Sequence, residues 1–128
     1  MKTIKRLLGD RGERSAARYL RKQRYRILHR NYTIGKLEVD IIAENKDYLV
    51  FAEVKTRTYV EENAQRFGSP KMAVDRKKQG NLIAAATAYL HRFPTDKRIR
   101  FDVLEVYVSA DARARVLSVN HIPDAFRR

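Results

Sequence analysis

The sequence predicts a single α/β domain, residues 1–128, with a central mixed five-stranded sheet flanked by helices in the order αβββαββ. Three observations lead there. The chain's 128 residues suit one hydrophobic core. Helical and strand-like segments follow one another with no repeat, low-complexity tract or Pro/Gly/Ser linker between them. The segment Tyr48 to Thr56 is apolar almost throughout, as strands buried on both faces are.

Taken in order, Asp10 to Gln23 has helical spacing, with Ala16, Ala17, Tyr19 and Leu20 forming an apolar stripe. Strands are predicted over Tyr25–Tyr32, Leu37–Glu44 and Tyr48–Thr56, with Asn31 and Gly35 marking one turn and Asn45-Lys46-Asp47 a tight hairpin. Residues 57–70 read as an exposed polar loop closing on Gly68-Ser69-Pro70. Asp75 is a good N-cap for a helix that runs to Arg92, with Leu82, Ile83, Ala86, Tyr89 and Leu90 as its apolar set. Strands over Ile99–Val108 and Ala114–His121 complete the domain.

Composition narrows the chemistry. A hydrophobic fraction of 44% is that of a globular protein. With no cysteine, disulfides, thiolate metal sites and cysteine nucleophiles are excluded, and the chain suits a reducing cytoplasm. No run approaches the roughly 20 apolar residues of a membrane span, and the first residues lack a signal-peptide core. Twenty-eight Lys+Arg against 15 Asp+Glu give a net charge of +13, for which a polyanion, most economically nucleic acid, is the expected partner. The charge is uneven, since residues 1–30 carry 11 basic residues against Asp10 and Glu13. The three histidines are too scattered for a metal site, and no serine sits in a nucleophile elbow.

The most informative segment is Phe51-Ala52-Glu53-Val54-Lys55, which puts a carboxylate and an ammonium into a buried strand. If Lys46-Asp47 is a two-residue turn, Asp40 lies opposite Glu53, Glu38 opposite Lys55, and Ile42 opposite Phe51. Val39–Val54, Ile41–Ala52 and Ala43–Val50 then pair on the other side, whereas a one-residue slip would mix charges with apolar side chains. Opposed carboxylates repel unless one is protonated or a cation lies between them. Mg2+ takes such oxygen ligands, with the Val54 carbonyl and Lys55 completing the polar cluster. The plain alternative is ordinary cross-strand pairs on a solvated face. Glu13 falls on the helical stripe that meets the sheet, so it either joins this cluster or pairs with a nearby arginine.

Gly12-Glu13-x-x-Ala16, Asn31-Tyr32, Glu38-Val39-Asp40-Ile41-Ile42-Ala43, Phe51 to Arg57, Phe67-Gly68-Ser69-Pro70, Ala88-Tyr89-Leu90 and Arg100-Phe101-Asp102-Val103 together resemble the YraN-like group of bacterial proteins. That group looks like the PD-(D/E)xK nuclease superfamily, and within it the archaeal Holliday-junction resolvases. The chain departs from the group at Leu37, where a glycine is usual; Gly35 stands two residues earlier. The resemblance implies a restriction-endonuclease-like fold and a Mg2+- or Mn2+-dependent endonuclease acting on branched or structured DNA, as a possible homodimer. It makes Glu13, Asp40, Glu53 and Lys55 catalytic, with the metal on Asp40, Glu53, the Val54 carbonyl and Glu13. Arg11, Arg14, Arg18, Lys77 and Lys78 are the candidate phosphate contacts. Two other readings are a non-catalytic nucleic-acid-binding protein on a nuclease-like scaffold and a basic factor bound to ribosomes or proteins.

Overall fold

The computed structural model describes residues 3–59 and 75–128. Their order is α1 (Ile4–Lys22), β1 (Arg26–Ile34), β2 (Leu37–Glu44), β3 (Tyr48–Thr58), α2 (Arg76–Arg92), β4 (Arg98–Val108) and β5 (Val116–Phe126). This is the expected αβββαββ order in a single α/β domain. The five strands lie in the sheet in chain order. Neighbours are antiparallel except β3 and β4, which run parallel across the connection that contains α2. The expected 57–70 loop begins later than the sequence suggested, because Arg57 and Thr58 continue the ladder with Tyr107 and Val108. Its remainder, with Phe67 and Gly68-Ser69-Pro70, lies outside the described residues.

Each helix covers one face. Ala16, Ala17 and Leu20 of α1 pack on Ile41, Ala43, Val50, Ala52, Leu104 and Val106. On the other face Leu82, Ala85, Ala86 and Tyr89 of α2 pack on Ile42, Leu49, Phe51, Phe101 and Val103. Both stripes are the expected ones, and the alternation along β3 and β4 sorts side chains between the two clusters.

α1 starts six residues before the expected Asp10. Thr3 caps it by accepting the Arg6 N–H at 3.2 Å, and the glycines at 9 and 12 do not break it. Gly12 has a positive reason to be there: a Cβ at this position would lie 1.8 Å from Thr56 Oγ1. The missing side chain lets the helix backbone settle against β3. β5 runs on to Phe126, beyond the expected His121. Pro123 is tolerated on an edge strand, and the register shifts by a bulge there, with Asp124 in the left-handed region at φ 52°.

The hairpin register is the expected one over four pairs, Ile41↔Ala52, Ile42↔Phe51, Ala43↔Val50 and Glu44↔Leu49. It then stops. The expected continuation to Asp40 opposite Glu53, Val39 opposite Val54 and Glu38 opposite Lys55 is not made as ladder pairs. Instead the Val54 N–H donates to Asp40 Oδ2 at 2.8 Å, so a side chain takes the place of the β2 backbone. Val39 also changes sides and joins the cluster under α2 instead of following Ile41. β2 remains paired with β1 through this stretch, where Asn31 adopts φ 51°. Asn31 is therefore a distortion inside a strand, not part of the turn. The turn itself is Gly35-Lys36, with Gly35 at φ 58°. β1 and β2 twist away together, and a fork opens between β2 and β3.

Candidate active site

The fork brings the acids together. A cavity of about 320 Å³ is lined by Lys5, Leu8, Gly9 and Glu13 of α1, by Asp40, and by Glu53, Val54, Thr56 and Thr58 of β3, with Lys78 reaching in from α2. A second cavity of about 220 Å³ on the α2 side shares Asp40, Glu53 and Lys78 and adds Lys36, Glu38 and Asn81. Asp40 and Glu53 thus stand at the divide between the two faces of the sheet. An unbroken ladder would keep Glu13 on one face and Lys78 on the other.

Electrostatics follow from this crowding. Glu53 is only 6% exposed and Asp40 is half-buried. Burial, and then the charge of Glu53, push the Asp40 carboxyl up to about 7, against the opposing pull of the Val54 N–H. Glu13, half-buried, is also raised, chiefly by burial, while a hydrogen bond with the Asn31 side chain works the other way. The amine that meets the acids is Lys78, whose Nζ lies 2.5 Å from Glu53 Oε1 and whose pKa this hydrogen bond raises.

The predicted site residues therefore divide. Glu13, Asp40, Glu53 and Val54 line one cavity. Lys55 lines neither cavity of the fork; it stands across from Glu105 of β4 and helps hold down that buried carboxyl's pKa, which burial raises. Of the predicted phosphate contacts, Arg14 is exposed on α1 beside Glu13, Arg30 and Asn31. Arg18 lies farther along the helix with Lys22 and Val119, away from the acids. Arg11 is committed elsewhere, its Nη1 donating to the carbonyls of Arg113 and Ala114 at 2.8 and 2.9 Å, so it straps α1 to the β4–β5 connection. Lys77 is exposed.

One participant was missed as a site residue, and another, Lys78, was predicted as a phosphate contact but meets Glu53 instead. Asn31 holds Glu13, and its only sequence signal was its Asn-Tyr context. Lys78 carried a clearer one: it precedes Leu82, Ala85 and Tyr89 by four, seven and eleven residues, on the stripe that packs against the sheet. The reasoning that singled out Glu13 on α1 applies equally to this lysine.

The donors at the fork are carboxylate oxygens, which suit Mg2+ and Mn2+. Among the described residues no three acidic or histidine side chains stand close enough to clasp an ion unaided. Asp40 and Glu53 are the pair that could hold one, with Glu13 across the same cavity, and a hydrated Mg2+ that keeps several of its waters fits so sparse a set.

Fold and site together define a basic α/β protein with a carboxylate cluster in a sheet fork. The chain belongs to the uncharacterised protein family UPF0102, whose model matches residues 12–106. It is 44% identical over 124 residues to a UPF0102 protein of Syntrophomonas wolfei, covering 96% of this chain and all of that one. A UPF0102 protein of Phocaeicola vulgatus is 40% identical over 118 residues, covering 92% of this chain and 90% of the relative. One of Caldanaerobacter subterraneus is 40% identical, with 98% of each chain covered. The matched span includes Glu13, Asp40, Glu53, Lys55 and Lys78. Among the described residues no helix is long and apolar enough to cross a membrane.

Proposed function

We propose that this chain is a Mg2+- or Mn2+-dependent endonuclease of the PD-(D/E)xK superfamily, with a restriction-endonuclease-like fold and branched or structured DNA as its substrate. One observation carries the reading: carboxylates from three separate segments, Glu13, Asp40 and Glu53, line a single cavity in a chain of net charge +13. Carboxylates crowded at a fork with a single lysine among them cost stability, and a cation for them to hold is the economical reason to keep them. When bound, Mg2+ supplies a Lewis acid and an activated water for phosphodiester hydrolysis. Asp40 and Glu53 hold it, and the Val54 N–H fixes the orientation of Asp40. Glu13 positions water from the α1 side. Lys5 and Arg14 lie on the approaches to the acids and meet phosphate oxygens. A homodimer would present two such clefts to a branched duplex.

A second reading, a non-catalytic nucleic-acid-binding protein, draws on the pairing of Lys78 with Glu53 and on the place of Lys55 beside Glu105. Cleavage of a four-way junction and a linear duplex in Mg2+ or Mn2+ separates the two. The nuclease reading expects cleavage by wild type, its loss in EDTA, and at least a hundred-fold loss in Asp40→Ala and Glu53→Ala (about 3 kcal/mol of transition-state stabilisation). Metal-independent binding with no cleavage of either substrate would leave the binding reading standing.

A further inference from the structure

We infer that Lys78 is the counter-ion of the acid cluster in its metal-free state: it holds the cation position beside Glu53 until a divalent ion displaces it, and it then turns to substrate phosphate. The inference rests on the metal-dependent reading above and assigns the partner of its key carboxylate.

Four observations support it. The Lys78 backbone is fixed, because its N–H donates to the capping carboxylate of Asp75 at 2.9 Å in the first turn of α2. From there its flexible four-carbon stem carries the ammonium to Glu53 Oε1, whose side chain is 8% exposed and requires a counter-charge. Lys78 itself is half-exposed, so the pairing is of the weak, solvent-screened kind that a divalent ion can outcompete. Finally, Lys78 lines both cavities of the fork, whereas Lys55 lines neither. An ion seated on Asp40 and Glu53 repels the ammonium from Glu53. A displaced Lys78 remains at the rim of both cavities, with three N–H donors to offer a phosphate oxygen.

Mn2+ titration calorimetry without nucleic acid tests the displacement, comparing wild type, Lys78→Met and Lys55→Met, with Lys78→Gln as a second variant should the methionine disturb folding. Removing the competing ammonium should tighten Mn2+ about five-fold in the Lys78 variants and leave Lys55→Met near wild type. Binding of a four-way junction then tests the second half. Lys78→Met should weaken it in non-cleaving Ca2+ and have little effect in EDTA, where Lys78 is still occupied with Glu53. Equal tightening by both lysine substitutions would reduce the effect to general charge and overturn the inference, as would unchanged Mn2+ affinity in the Lys78 variants. Absence of Mn2+ binding in wild type would overturn the metal site and this inference together, which distinguishes that failure from the other two.

Discussion

Two carboxylates on the strands either side of β3 meet opposite fates. Asp102 of β4 is fully buried on the α1 face, where Arg100 donates to both its oxygens at 2.8 and 2.7 Å. His121 Nε2 lies 2.7 Å from it and the Asp124 N–H donates at 3.0 Å. Burial alone would raise its pKa, but these partners hold it below the ordinary carboxylate value. The Arg100 guanidinium is itself engaged by Tyr25 and lies 4.6 Å from the centre of the Tyr48 ring. Asp40, one strand beyond β3, has a single backbone donor and another acid for a neighbour, and its pKa rises instead. The first carboxylate has everything it needs from the protein. The second shares the Lys78 ammonium with Glu53 and has no arginine clasp of its own among the described residues, and that difference sets a satisfied structural acid apart from a crowded one.

The sharpest way to break the comparison is to remove the structural acid. Asp102→Ala leaves Arg100 buried without its partner and should cost about 3–5 kcal/mol in denaturant unfolding. A loss below 1 kcal/mol would mean that the network is ornamental. Next comes the close contact that seats α1 beside the fork. Gly12→Ala should cost about 2 kcal/mol by overpacking. Adding Thr56→Ala should recover most of that, since the 1.8 Å clash is with Thr56 Oγ1 and its Cβ stands 3.1 Å away. An additive double variant would show that the helix, not the threonine, sets the spacing.

Smaller and opposite in sign is the effect at Asp40. Its folded pKa of about 7 lies above the ordinary aspartate value of 3.8, so between these limits the folded state binds the extra proton. Stability therefore falls as pH rises through that window, the reverse of Asp102, whose contribution is lost as pH falls. Asp40→Asn should be more stable than wild type by about 2 kcal/mol at pH 8, the gap closing toward pH 4. Thermal unfolding across that range checks it; a variant less stable than wild type at pH 8 would assign Asp40 to structure.

Much of this was legible in the sequence. The bounds of β2, the cap at Asp75, both helical stripes and the four-pair hairpin register follow from local spacing and turn chemistry. So did the convergence of Glu13, Asp40 and Glu53, because a charge on a stripe that meets a sheet must find company. The fork was not legible. Period-two alternation carried the ladder past Ile41, and nothing local announced the left-handed Asn31 or the end of the β2–β3 pairing beside it. The Asp102 network was missed for a related reason: Tyr25, Arg100, His121 and Asp124 meet only once the strands are placed, and His121 in the sequence was one of three scattered histidines.

The central claim, that the acids crowded at the fork take a cation, is tested most directly by Mn2+ calorimetry at pH 7.5 on wild type, Asp40→Asn and Glu53→Gln. The account predicts binding to wild type and at least a ten-fold weaker affinity in each folded variant (about 1.4 kcal/mol). Wild-type affinity in both variants, or no Mn2+ binding by wild type, would contradict it.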